Sequence, residues 1–199
     1  PVCQEGSRCQ HRRPNDTVCN EPLDPRGRHA RKCGIGGGVG KRHDRLCNFG
    51  STSWSCCAGA PALREQRVPE WDREVTDDSG RTAIEMAVLD VVTSDPSSGQ
   101  PLYLDFTVTT ACPDDPAALR RRARHDGRGA SDAAAGKRRR YNLAGASLIP
   151  LAFEDGGRPA EETVAFVRRC GAAAEGRDVT WPLVEAGDGQ PVTARLWQE

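Results

Sequence analysis

"LDVVTSDPSSGQPLYLDFTV" (residues 89–108) sets two apolar runs on either side of a turn-rich centre, and each run carries one aspartate, Asp90 and Asp105. Runs of this composition around Pro, Ser and Gly read as a β-hairpin. With a loop of Pro96–Gly99 and Asp95 opposite Gln100, paired positions sum to 195, so Asp90 faces Asp105. Their Cβ atoms would then lie about 5 Å apart, where like charges destabilise a sheet. A hard divalent cation reverses that sign, because Mg²⁺ takes one or two carboxylates together with substrate phosphate oxygens. A slip of one residue would put the two on opposite faces. A solvated strand-end aspartate is the ordinary alternative for either residue alone.

Outward from this hairpin, "TAIEMAVLDVVT" (82–93) and "PLYLDFTV" (101–108) are the two expected strands. "SDAAAGKRRRYNLAG" (131–145) reads as a helix capped by Ser131. "SLIPLAFE" (147–154) reads as a strand that Pro150 confines to a sheet edge. "RPAEETVAFVRRCG" (158–171) reads as a helix opened by Pro159, with Glu161 and Glu162 at its positive end and Gly171 as its stop. A helix is also expected over 39–54, weakened by Gly50 and the serines, after a glycine-rich joint at 34–40. The fold class is therefore α/β: a mixed sheet with a central hairpin, flanked by helices. The expected organisation is a small stapled segment (1–38), a core (39–171) and a weakly ordered tail (172–199).

Charge is balanced overall, 28 basic against 28 acidic groups, but segregated along the chain. Residues 71–119 carry 2 basic and 10 acidic groups, whereas 120–142 carry 9 and 2. An acidic strand region beside a basic block suits a site that holds cations and approaches a polyanion. Only three lysines (Lys32, Lys41, Lys137) stand among 25 arginines. Lys137 shares a helix face with Tyr141 four residues on, and its compact ammonium suits a phosphate or an attacking water. No apolar run approaches the roughly 20 residues that span a membrane, so no membrane partner is expected. The chain opens at Pro1. It reads as a fragment of a longer polyprotein.

Nine cysteines are an odd number, and several lie among histidines. That favours a reducing, intracellular compartment with some thiolates on a metal. Cys9, Cys19, His29 and Cys33 follow the spacing C-x9-C-x9-H-x3-C. Three thiolates and an imidazole make a tetrahedral structural zinc site. Cys3 or His11 could replace Cys9 as the fourth ligand. A segment this polar builds no core of its own and needs such a staple.

Taken in order, "CNEPLDPRGRHARKCGIGGG", "RHDRL", "REQRVPEWD", "LDVV" with "YLDFTV", "KRRRY" and "LIPLAFEDGGRP" resemble the C-terminal restriction-like endonuclease region of site-specific non-LTR retrotransposon polyproteins. The likeness covers roughly residues 9–170. It implies a PD-(D/E)XK nuclease core behind a Cys/His zinc knuckle. Asp90 takes the place of the first acidic residue, with Leu89 where proline is usual, and Asp105 the second. Thr107 stands where a lysine is expected, and the K-x3-Y pair Lys137 and Tyr141 supplies it from the following helix. The resemblance implies Mg²⁺-dependent hydrolysis of DNA in the nucleus, a nick that primes the reverse transcriptase of the same polyprotein. Arg120, Arg121, Arg122, Arg124, Arg138, Arg139 and Arg140 would contact DNA phosphates. The alternative is a zinc-dependent nucleic-acid-binding module on a vestigial nuclease fold.

Overall fold

A computed structural model describes residues 4, 6–25, 27–35, 38–141, 148–175 and 177. The hairpin lies at its centre. Strands β4 (Val88–Ser94) and β5 (Pro101–Thr109) are antiparallel, and Val91 pairs with Leu104 in the expected register. Asp95 N donates to Gln100 O at 2.8 Å, and the Asp95 carboxylate accepts from Ser97 N, which fixes the loop. The loop chemistry thus sets the register.

The remaining elements are α1 (Arg28–Lys32), α2 (Gly38–Ala58), β1 (Leu63–Arg67), β2 (Arg73–Thr76), β3 (Thr82–Glu85), α3 (Pro116–Arg122), α4 (Arg128–Arg140), β6 (Leu148–Glu154) and α5 (Glu161–Glu175). The main sheet is mixed, in the order β1-β4-β5-β6, with β6 parallel to β5 and the other pairs antiparallel. β2 and β3 form a separate two-stranded sheet.

Side chains alternate across β5. Leu102, Leu104 and Phe106 join Val91 and Leu151 in the main apolar cluster beneath α2 and α5. α2 contributes Cys47, Trp54 and Cys57 to it, and α5 contributes Phe166 and Cys170. Their spacings of seven, three and four residues fall on one apolar stripe of each helix. Trp54 stacks on Phe166 at 5.4 Å between ring centroids. Tyr103 lies instead against a second cluster of Val68, Leu89, Tyr141 and Leu148. A third cluster pairs Ala130 and Ala134 of α4 with Ala152 of β6, small residues that let the helix sit close to the strand.

Several expectations are corrected. The run 82–93 is not one strand: β3 and β4 are separate and belong to different sheets. α2 is longer than 39–54 and takes in Gly38–Gly40, which the sequence suggested as a joint. Gly50 does not weaken it, because a Cβ there would overlap the Phe106 ring, so glycine permits close helix–sheet contact. α4 starts at Arg128 rather than Ser131, whose hydroxyl donates back to Gly127 O. Residues 142–145 of the expected helix lie outside the described residues. α5 begins at Glu161 and passes through Gly171 to Glu175, so residues 172–175 of the expected tail are helical. The rest of the tail, apart from Arg177, lies outside the described residues. β6 does take a sheet edge, and Pro150 pairs there with Asp105.

Candidate functional site

The N-terminal segment builds its own ligand cluster from two local devices. Bridges Arg8↔Pro22 and Arg12↔Val18 close a small hairpin, with Cys9 N donating to Glu21 O at 2.9 Å. That hairpin brings Cys9 beside Cys19 despite the nine residues between them. α1 then carries His29, and Cys33 caps its C-terminal end one turn later. Sγ of Cys9 lies 3.7 Å from Sγ of Cys33, Cys33 lies 3.8 Å from Cys19, and Cys19 lies 3.3 Å from His29 Nε2. The edges of a tetrahedral zinc site with Zn–S of about 2.3 Å measure about 3.8 Å between sulfurs, so the donor set fits the metal. Cys9 takes the fourth place. His11 is exposed outside the cluster, and Cys3 lies outside the described residues. Burial is the largest cause raising the Cys33 thiol above its ordinary value; a hydrogen bond with the Ile35 backbone lowers it, and the Cys9 and Cys19 thiols add to the rise.

At the end of the β4–β5 ladder, Asp105 is buried with 3% of its side chain exposed, and Lys137 Nζ approaches its Oδ2 at 2.8 Å. Asp90 is within hydrogen-bonding reach of Asp105. Burial pushes the Asp105 carboxyl up to about 6, Lys137 pulls it down, and Asp90 pushes it up again. The sheet and α4 bring all three sequence-selected groups together.

The backbone around Asp90 is irregular. The β1–β4 register runs Arg64↔Val91 and Gln66↔Leu89, skipping Glu65 opposite Asp90. Glu65 adopts φ of 51°, a left-handed conformation rare for such a side chain. On the other side, the Phe106 amide donates to Asp90 Oδ2 at 2.6 Å. A side-chain carboxylate thus accepts a strand amide at the end of the ladder. Such distortions are costly and persist where the surroundings impose them.

Tyr141 C-caps α4 and is buried. Its ring packs 5.5 Å from Trp71, and burial followed by the Asp105 charge raises its phenol. Among the arginines, Arg122 donates to Thr110 O, Arg138 pairs with Glu162 at 3.3 Å, and Arg140 pairs with Glu85 at 2.9 Å. Arg121 lies 3.8 Å from Asp132. Arg120, Arg124 and Arg139 are exposed and, among the described residues, carry no ion pair. The basic block therefore divides into structural clamps and cations available to a polyanion.

Sequence reasoning missed His43 and Cys47 on α2. His43 Nε2 lies 3.3 Å from Asp90 Oδ2, and Cys47 is fully buried beside both. Burial and then the Asp90 charge push the Cys47 thiol up to about 12. Their i, i+4 spacing was visible, but the strand they would face was not. No protein-family model and no curated protein matches the chain. The functional reading therefore rests on the residues themselves.

Proposed function

We propose that this chain is a Mg²⁺-dependent DNA endonuclease domain with a restriction-like core, acting beside the reverse transcriptase of a retrotransposon polyprotein. The observation that carries it is the cluster in which Asp90, buried Asp105 and Lys137 meet. Asp90 and Asp105 would hold the hard cation, since oxygen donors and two close carboxylates suit it. When bound, such an ion lowers the pKa of a water and offsets charge on a phosphate. With a cation taking up the Asp105 charge, the Lys137 ammonium would be free to face the scissile phosphate or orient the water. Tyr141 buttresses the helix end that delivers Lys137. Arg120, Arg124 and Arg139 would bind the DNA backbone, with affinity falling steeply as salt rises. The Cys9, Cys19, His29 and Cys33 cluster is the structural zinc partner of this core.

The test is nicking of supercoiled plasmid in Mg²⁺ by wild type and Asp105→Ala. Activity in the first and none in the second supports the reading. Equal activity in both would sink it. The second reading, a zinc-dependent binding module without cleavage, draws on the charge already satisfied within the triad. It expects DNA binding that survives Asp90→Ala, disappears with a zinc chelator, and comes with no nicking in either protein.

A further inference from the structure

We infer that His43, Cys47 and Asp90 form a second divalent-metal site, suited to a borderline-soft ion such as zinc. The three donor atoms lie within 4.8 Å of one another. His43 Nε2 is 3.3 Å from Asp90 Oδ2, and Cys47 Sγ is 3.6 and 3.7 Å from the two imidazole nitrogens. For Zn–N and Zn–O near 2.0 Å and Zn–S near 2.3 Å, a tetrahedron has edges of about 3.3 Å between N and O and about 3.6 Å between S and N. The Nε2–Oδ2 separation is already that of such an edge, whereas the sulfur stands about equally far from both ring nitrogens, so the imidazole turns to aim one of them at an ion shared with the sulfur.

Two of the three donors are held in place, and the partly exposed imidazole can turn towards them. One helical turn sets the imidazole and thiol of α2 on the same face. The Phe106 amide fixes the Asp90 carboxylate. Cys47 is fully buried, so its sulfur has little freedom to turn away. Arg64 is the nearby cation, but it is paired with Glu65 at 3.6 Å and donates to Asn48. Three protein ligands leave the fourth position open to solvent or substrate, unlike the closed Cys/His cluster. Asp90 belongs to both this donor set and the carboxylate pair. A thiophilic ion bound here and a hard ion bound between the aspartates therefore compete for it. The inference needs neither DNA nor cleavage, so it stands or falls apart from the nuclease reading.

The experiment loads the full chain with one equivalent of zinc and then titrates cobalt(II), followed by absorption. The expected result is a second bound equivalent with a thiolate charge-transfer band. Cys47→Ser should abolish that band. His43→Gln should weaken the second equivalent by more than about tenfold, the loss seen even for partners beyond the ligand shell. Cys56→Ser, at an exposed thiol of the same helix, should change neither. His43 is about one-third exposed, so its variant reports on the site even if Cys47→Ser disturbs the packing. Absence of a second equivalent would overturn the inference, as would a band as strong in Cys47→Ser or His43→Gln as in the wild type.

Discussion

Asp105 is a carboxyl whose burial outweighs its cationic neighbour. Its value of about 6 stands above the ordinary 3.8, so the folded chain keeps a proton that the unfolded chain has lost. Stability from this group is therefore fully present below pH 4 and falls as pH rises towards 6, by on the order of 3 kcal/mol. Other carboxylates push the opposite way: the Asp95 carboxyl is lowered, chiefly by the Ser97 hydroxyl, and the Asp114 carboxyl by Lys32. The difference between wild type and Asp105→Asn isolates the Asp105 contribution. Urea midpoints in magnesium-free buffer at pH 4 to 7 should show wild type losing stability relative to the variant as pH rises. A constant difference across that range would contradict it. Gly50 gives a second prediction at this scale. Gly50→Ala drives a methyl into the Phe106 ring and should cost about 1–3 kcal/mol by chemical denaturation, the usual range for overpacking. The aspartate pair was legible because a hairpin loop fixes register by counting. Gly50 was not, since a glycine that permits close approach looks in sequence like one that breaks a helix.

At the scale of elements, α4 is the one that delivers Lys137, and its own first turn does not cap it. Gly127, at φ 69°, precedes it without a side-chain cap. The cap comes from β6: Glu154, a buried carboxylate, accepts from Gly129 N at 2.9 Å. A carboxylate at a helix N-terminus satisfies an orphan donor and opposes the helix dipole. Glu154→Ala should cost about 2 kcal/mol, within the range for a buried charged hydrogen bond. It should also speed amide exchange in the first turn of α4 more than in α5. Equal exchange in both helices of the variant would refute the capping role. Ser131 was the natural choice from sequence because cap preferences are local, whereas this cap crosses 25 residues. β1 and β2 escaped notice for a related reason. "LREQR" and "REVT" carry little apolar signal and take their strand geometry from their partners, β4 and β3. α5 runs past Gly171 because Phe166, Cys170 and Ala174 continue one buried stripe. Packing there outweighs the glycine's cost of about 1 kcal/mol.

Across the whole molecule, two stabilising principles meet along α1 and α2. The core is closed by apolar clusters, and the N-terminal segment by its ligand cluster, with few large apolar side chains of its own. What joins them is polar. Arg31 lies 3.3 Å from buried Asp155, Lys32 lies 2.6 Å from Asp114, and Arg42 donates to Arg31 O at 2.6 Å. Exposed ion pairs such as the Lys32 one contribute at most about 1 kcal/mol, too little to order a segment alone. The sequence disclosed the ligands of that segment but not the hairpin at residues 8–22 that closes the wide cysteine spacing, because its bridges are main-chain bonds between polar residues. Metal removal should therefore separate the two parts. A zinc chelator should open residues 6–33 to trypsin, whose arginine sites there are numerous, while the core resists. Trp54 is fully buried against Phe166 and serves as the core's reporter. Its emission, read in a background with Trp71, Trp181 and Trp197 all replaced by Phe, should stay blue-shifted through chelation and move only with denaturant. If that emission shifts red together with cleavage at Arg8 or Arg12, the core and the N-terminal segment unfold as one unit. The ion would then hold up the mixed four-stranded sheet itself rather than an arm beside it.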